Sequence, residues 1–168
     1  DQWTDLFVGD FDGDGKEDVA GRWQETGEWW MLSDATTNAT TGTYAAKNVL
    51  IGQWNPSATW QKVVAGNFTG DALGKDTIAG LEGSNWWLLE WDGASSSNTL
   101  MTNAWSAETT WVNFLVGNFT GAAGLEQQIA GRSLATGAWH LLGKSGASFT
   151  NSFMAAWNPV ALWLNVVA

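Results

Sequence analysis

The sequence predicts an all-β protein built from three copies of a four-stranded antiparallel blade, followed by the first strand of a further one. Three observations carry that expectation. The chain of 168 residues holds fourteen Trp and twenty Gly, with only two Pro and one Tyr. Trp, Val, Ile and Thr suit pleated, half-buried surfaces, and Gly with Asn and Asp supplies turns. Trp-led segments recur about every fifty residues. The apolar residues fall in short runs bounded by turn residues, and no stretch has a helical period.

The opening strand is the clearest repeat. Trp3-Thr-Asp-Leu-Phe-Val-Gly-Asp-Phe-Asp returns as Trp60-Gln-Lys-Val-Val-Ala-Gly-Asn-Phe-Thr and as Trp111-Val-Asn-Phe-Leu-Val-Gly-Asn-Phe-Thr. A shorter copy begins at Trp163. The second strand carries Val19-Ala-Gly-Arg, Ile78-Ala-Gly-Leu and Ile129-Ala-Gly-Arg. The third carries Trp29-Trp-Met-Leu, Trp86-Trp-Leu-Leu and Trp139-His-Leu-Leu. The fourth ends at Trp54, Trp105 and Trp157, each six positions ahead of the next opening Trp. In the first period the strands are expected at Trp3–Gly9, Glu17–Trp23, Glu28–Leu32 and Asn48–Trp54. The polar stretches Ser33–Gly42 and Ala94–Asn98 read as loops.

A period of about fifty residues with four short strands is the pattern of β-propeller blades, not of helical solenoids. The units are blade 1 at 1–58, blade 2 at 59–109, blade 3 at 110–160, and a further first strand at 161–168. Three blades are fewer than the roughly four to eight of closed propellers. Leu162–Ala168 repeats Gln2–Val8, so one of those copies is redundant in a closed ring. The expected outcome is an excerpt of a longer array, or a protomer completed head-to-tail by a neighbouring copy.

Charge narrows the partners. The net charge is −10, from seven basic and seventeen acidic side chains. No basic stripe exists to displace counterions, so nucleic acid and anionic membranes are not expected partners. No run of eighteen apolar residues predicts a membrane helix. Cys is absent, which excludes disulfides and thiolate metal sites. Few Lys with many Thr, Asn, Ser and Gly suit a secreted or cell-surface protein. The chain starts at Asp1 as a mature or excerpted sequence would.

The sharpest motif is Asp10-Phe11-Asp12-Gly13-Asp14-Gly15-Lys16-Glu17-Asp18. Carboxylates stand at relative positions one, three, five and nine, with Gly at six. Calcium takes six to eight oxygens, and this alternation turns successive carboxylates inward while Gly permits the bend. Lys16 would contribute its backbone carbonyl. An EF-hand needs Glu at position twelve; Gly21 is there, so the loop joins two strands. The sister loops are degraded. Asn67, Thr69, Asp71 and Asp76 keep some oxygen donors and form a candidate weak second site. The third loop, from Asn118, is expected to be metal-free, its turn closed by Asn118 and Thr120 side chains.

Gly9-Asp-Phe-Asp-Gly-Asp-Gly-Lys-Glu-Asp-Val-Ala-Gly resembles the FG-GAP, or VCBS, repeat of secreted bacterial proteins and integrin α-subunits. The resemblance covers almost the whole chain as blades, with the cation motif intact in one. It implies a propeller fold and calcium in blade loops. It also implies a role in adhesion, recognition or surface structure. By position it assigns Asp10, Asp12, Asp14, Asp18 and the Lys16 carbonyl as ligands.

The periodic Trp residues are expected to fill cores, since aromatic side chains dominate burial. Of the adjacent pairs Trp29-Trp30 and Trp86-Trp87, one member must face each side of its strand. Trp23 and Trp91 break the repeat and are candidate ligand contacts. Catalysis finds little in the sequence. His140, the single His, occupies the place of Trp30 and Trp87, and no Ser sits in a nucleophile elbow. Glu28, Glu82 and Glu90 have no spacing that pairs them. Of the sequons at Asn38, Asn67 and Asn118, Asn38 in its polar loop is the best glycosylation acceptor. The expected function is non-enzymatic: a calcium-stabilised extracellular structural or adhesion module binding another protein or copies of itself. The alternative is a lectin using exposed Trp, and a remote one is a propeller-fold glycan hydrolase or lyase.

Overall fold

The computed structural model describes residues 2–37, 40–105, 110–121 and 125–159, the side chains of positions 35, 37 and 44 excepted. Every regular element in it is a strand. The first sheet holds β1 (Trp3–Gly9), β2 (Asp18–Trp23), β3 (Glu28–Thr37) and β4 (Tyr44–Gln53). The second holds β5 (Trp60–Gly66), β6 (Thr77–Glu82), β7 (Asn85–Trp91) and β8 (Ser96–Thr102). The third holds β9 (Trp111–Gly117), β10 (Gln128–Ser133), β11 (Ala138–Ser145) and β12 (Ser148–Ala156). Each sheet is antiparallel with its strands in chain order. The repeated sequence thus becomes a repeated up-and-down sheet.

Two expected loops are shorter than the sequence suggested. The hairpin joining β3 and β4 runs on through Ser33↔Lys47 and Thr37↔Tyr44, so much of Ser33–Gly42 is strand. Likewise Ser96, Ser97 and Asn98 belong to β8, paired with Trp91, Glu90 and Leu89. Ser, Thr and Asn fit turns and solvent-facing strand positions alike, and cross-strand pairing decides between them. Asn38 and the segment from Leu162 with Trp163 lie outside the described residues.

The sheets stack through two apolar cores. Trp29, Met31, Ile51, Trp54 and Phe11 of the first sheet meet Val63, Ile78 and Leu89 of the second. Leu81, Trp86, Leu88, Met101, Trp105 and Phe68 of the second meet Ile129, Leu142, Trp111 and Phe114 of the third. The first sheet therefore packs by its back face on the front of the second, and the second by its back face on the front of the third. The alternation of a strand explains this: Trp29 and Trp86 are buried at the back, and the neighbouring Trp30 and Trp87 point forward. The opening strands lie side by side, β1 against β5 and β5 against β9. Among the described residues, no strand of the first sheet touches one of the third.

β1 and β9 carry a matched irregularity. Asp5 and Asn113 have left-handed φ of 51° and 54°, where the ladder shifts register. Arg22 reaches Asp5 with Nε at 2.9 Å and a second guanidinium nitrogen at 2.6 Å. Arg132 donates from Nε to Asn113 Oδ1 at 3.1 Å. Asp and Asn tolerate this backbone region better than most residues, and the Arg bonds hold each kink. The recurrence of Asp5 with Arg22 and Asn113 with Arg132 was readable in the sequence alignment of the repeats, but its purpose was not.

Candidate metal centre

The loop between β1 and β2 wraps around the Asp10 side chain. Its Oδ1 accepts from the N–H groups of Gly13 (2.7 Å) and Asp14 (3.1 Å), and its Oδ2 from Gly15 (2.9 Å). Gly13 and Gly15 adopt φ of 80° and 83°, which is why Gly occupies both places. Asp12 Oδ1 accepts from Asp14 N–H at 3.1 Å. Asp18, the first residue of β2, is buried and accepts from Phe11 N–H at 2.9 Å. One oxygen from each of Asp10, Asp12 and Asp18 lies within 4.8 Å of the others.

The electrostatics of this trio suit a cation. Burial pushes the Asp18 carboxyl up to about 6, the Phe11 N–H bond opposes the shift, and the charges of Asp12 and Asp10 add to it. A buried carboxylate beside two like charges is relieved by a proton or by a hard cation. Of the five residues expected as ligands, the structure therefore brings three together. Asp14 turns aside: its Oδ2 accepts from Lys16 Nζ at 2.6 Å and its Oδ1 from Lys16 N–H at 2.8 Å. That side-chain bond to Lys16, with the backbone bond behind it, holds the Asp14 carboxyl below its usual range. The carboxylates of Asp10, Asp12 and Asp18 are the ones that could hold a metal ion. Asp14 would join by giving up Lys16, an exposed pair of the kind that holds only weakly.

The loop is also tied to the next sheet. Asp10 N–H donates to Asp76 Oδ2 at 3.2 Å, and Asp76 N–H donates to the Asp10 carbonyl at 2.7 Å. Burial raises the Asp76 carboxyl above its usual value, against the Asp10 bond that lowers it. The same stitch recurs one sheet later, where Asn67 N–H donates to Gln127 Oε1 at 3.0 Å and Gln127 N–H to the Asn67 carbonyl at 2.8 Å. Asp76, expected as a ligand in the second loop, thus spends its carboxylate on the first loop. Asn67 closes its own turn, donating from Nδ2 to the Asp71 carbonyl and accepting from Asp71 N–H, both at 2.9 Å. Asp71 Oδ1 accepts from Leu73 N–H. Thr69 offers its carbonyl to Lys144 Nζ. In the third loop Asn118 Oδ1 accepts from Gly121 N–H at 2.9 Å, a turn closed by side chain as the sequence suggested.

The two non-repeating Trp residues stand apart. Trp23 packs edge-on against Trp3 at 5.2 Å on the first sheet. Trp91, on the second, lies under Lys75 Nζ at 5.7 Å, and that ammonium also donates to the Trp91 carbonyl. Trp91 lines an open polar groove of about 240 Å³ with Thr69, Asp71, Lys75, Glu90 and Asp92. His140 packs edge-on against Trp111 and shares a 3.4 Å contact with Asn151, the strand role expected of it. Compared with protein-family models, curated proteins and solved structures, the chain finds no match in any of the three.

Proposed function

We propose that this chain is a calcium-stabilised, non-enzymatic extracellular module of propeller-blade type, like the FG-GAP or VCBS repeats it resembles. Its role is structural or adhesive, with copies of itself or another protein as partner. The observation that carries this reading is the position of the Asp10–Asp18 loop. The carboxylates converge where the first sheet is stitched to the second through Asp76, and Phe11 of the same loop is buried in the core between them. A cation held by Asp10, Asp12 and Asp18 would neutralise the loop and firm that junction, which is a scaffold role. The test is a calcium titration followed by calorimetry and thermal unfolding. One dominant site with a rise in melting temperature supports the reading. No heat and no shift would remove calcium from it.

A lectin is the second reading, favoured by one feature: the Trp91 groove combines an indole with several carboxylates and hydroxyls. A glycan array with the parent and Trp91→Ala separates the two. Glycan binding lost in the variant would put the lectin first.

A further inference from the structure

At both sheet junctions the closing Trp of one sheet crosses onto the front face of the next. Trp54 lies on Gly80 and stacks on Trp60 at 4.0 Å, and its Nε1 donates to Asn98 Oδ1 at 2.8 Å. Trp105 lies on Gly131 beside Trp111 at 4.2 Å, and its Nε1 donates to Asn151 Oδ1 at 3.0 Å. The two junctions differ beside these rings. In the third sheet Ser133 pairs with Trp111, and His140 packs edge-on against that Trp at 5.3 Å. In the second sheet Glu82 pairs with Trp60, and Trp87 stands opposite Gly80 as His140 stands opposite Gly131.

The first junction holds a hollow of about 210 Å³ lined by Trp54, Trp60 and Trp87 with Glu82 and Asn98. Trp54 is buried, whereas Trp60, Trp87 and Glu82 are half-buried. Among the described residues, Trp87 joins neither apolar core. The amides around the hollow are already engaged. Asn98 accepts from Trp54 and donates from Nδ2 to the Gln53 carbonyl at 3.4 Å. Gln53 Nε2 donates to the Thr26 carbonyl at 2.9 Å, and Asn55 Oδ1 accepts from Ser57 N–H at 3.0 Å. Among the described residues, no hydrogen bond or ion pair takes up the Glu82 carboxylate.

What remains for a ligand is indole surface and one negative charge. Indole faces attract a cation, more strongly as water is displaced, and a carboxylate alongside supplies the counter-charge. We propose that this hollow binds a free small molecule bearing a trimethylammonium group, held against Trp60 and Trp87 with Glu82 as its counter-ion. Such a group carries a fixed charge and has no N–H that would need an acceptor. A sugar would have to pair its hydroxyls with amides that are already spent. The hollow is smaller than the roughly 300–1,000 Å³ of drug-sized pockets, which suits a compact ligand. The net charge of −10 draws cations to the surface. The hollow shares no residue with the calcium loop or with the Trp91 groove, so it stands apart from both readings above.

The experiment is calorimetric titration with choline, with the indole N–H signals followed by NMR. The uncharged tert-butyl isostere, dimethylbutanol, tests the charge, and glucose stands for a sugar. Choline should bind a single site and shift the Trp60 and Trp87 signals. The isostere and glucose should bind at least about tenfold more weakly. Glu82→Gln keeps the size and removes the charge, and should weaken choline at least about fivefold while leaving the isostere unchanged. Trp87→His, which copies the third sheet, should abolish choline binding. If that variant unfolds, Glu82→Gln carries the test, because its side chain is half-exposed and unbonded. No choline-dependent heat, equal affinity for choline and its isostere, tighter binding of glucose, or a Glu82→Gln variant that binds like the parent would each overturn the proposal. So would a trimethyllysine peptide that binds more tightly than choline, since the site would then serve a protein partner. All of these outcomes leave the calcium-dependent melting shift, and the reading that rests on it, intact.

Discussion

Gly80 lies directly beneath the indole of Trp54: a Cβ on Gly80 would stand 2.6 Å from Trp54 Cη2 and 2.7 Å from Trp60 Cε3. The same is true of Gly131 under Trp105, where the distance is 2.5 Å. The bare backbone is therefore a packing device. It lets a ring from one sheet reach the ladder of the next, so the Ala-Gly pair in each second strand and the closing Trp about twenty-five residues away in the next-door repeat are one feature.

Gly80→Ala and Gly131→Ala are expected to destabilise by about 1–3 kcal/mol through overpacking. The rings they strike cannot give way, since Trp54 is sandwiched against Trp60 and Trp105 against Trp111. Gly21→Ala should cost less, because the atoms it meets are the end of the exposed Leu6 side chain at 2.7 Å and the edge of the exposed Trp3 ring at 3.2 Å, and both have room to shift. Thermal unfolding of the three variants checks the order. Equal losses at all three positions would contradict it.

The Asn residues at these junctions separate in the same way. Asn98→Ala or Asn151→Ala leaves a Trp Nε1–H without its acceptor, at a cost of about 1–3 kcal/mol. Asn48→Ala, at the exposed matching position of the first sheet, should stay within about 0.5 kcal/mol of the parent. Denaturant melts of the single variants would show it, and a large loss for Asn48→Ala would mean that its side chain already has a structural partner.

Trp105→Ala removes a fully buried ring from the core between the second and third sheets and should cost about 3–5 kcal/mol. Trp157→Ala removes a ring that is partly exposed and should cost clearly less. Calorimetric unfolding of both variants at the same protein concentration makes the comparison. Matching losses would show that Trp157 is already part of a completed core.

The strands, their order and the Trp landmarks were legible in the sequence because a repeat aligned to itself exposes its period. The ends of β3, β4 and β8 were not, because Thr37, Ser96 and Ser97 have the chemistry of turns and only their partners make them strand. Within the metal loop the spacing of Asp10, Asp12 and Asp18 identified the converging carboxylates. It could not show Asp14 drawn off by Lys16, nor Asp76 crossing to Asp10, because both depend on contacts that no spacing encodes. The seat for the closing Trp was missed for the same reason. Its signal, a Gly and an Asn recurring at fixed positions, was in the repeat, but only the neighbouring sheet shows what they receive.

The last expectation joins pH and calcium at Asp18. Its carboxyl titrates near 6 in the folded protein, against a usual 3.8. Without cation, the folded state holds a proton that the unfolded chain releases earlier, so this group's contribution to stability is full below about 3.8 and is lost as pH rises through about 6. Calcium is expected to take the proton's place, with a Kd on the order of 10⁻⁴–10⁻³ M or tighter, as in extracellular modules. The melting temperature of the cation-free protein should therefore fall between about pH 4 and pH 7 from this group, and saturating calcium should restore it at the upper end. Asp18→Asn should flatten that fall and abolish the calcium response, and Asp12→Ala should abolish the response alone. Lys16→Ala should keep binding, because the contact expected from Lys16 is its carbonyl, and the variant frees the Asp14 carboxylate. Melting curves at paired pH values, with calcium and with chelator, decide the matter. Parallel pH slopes for the parent and Asp18→Asn would show that the buried carboxyl is not the group that calcium and protons share.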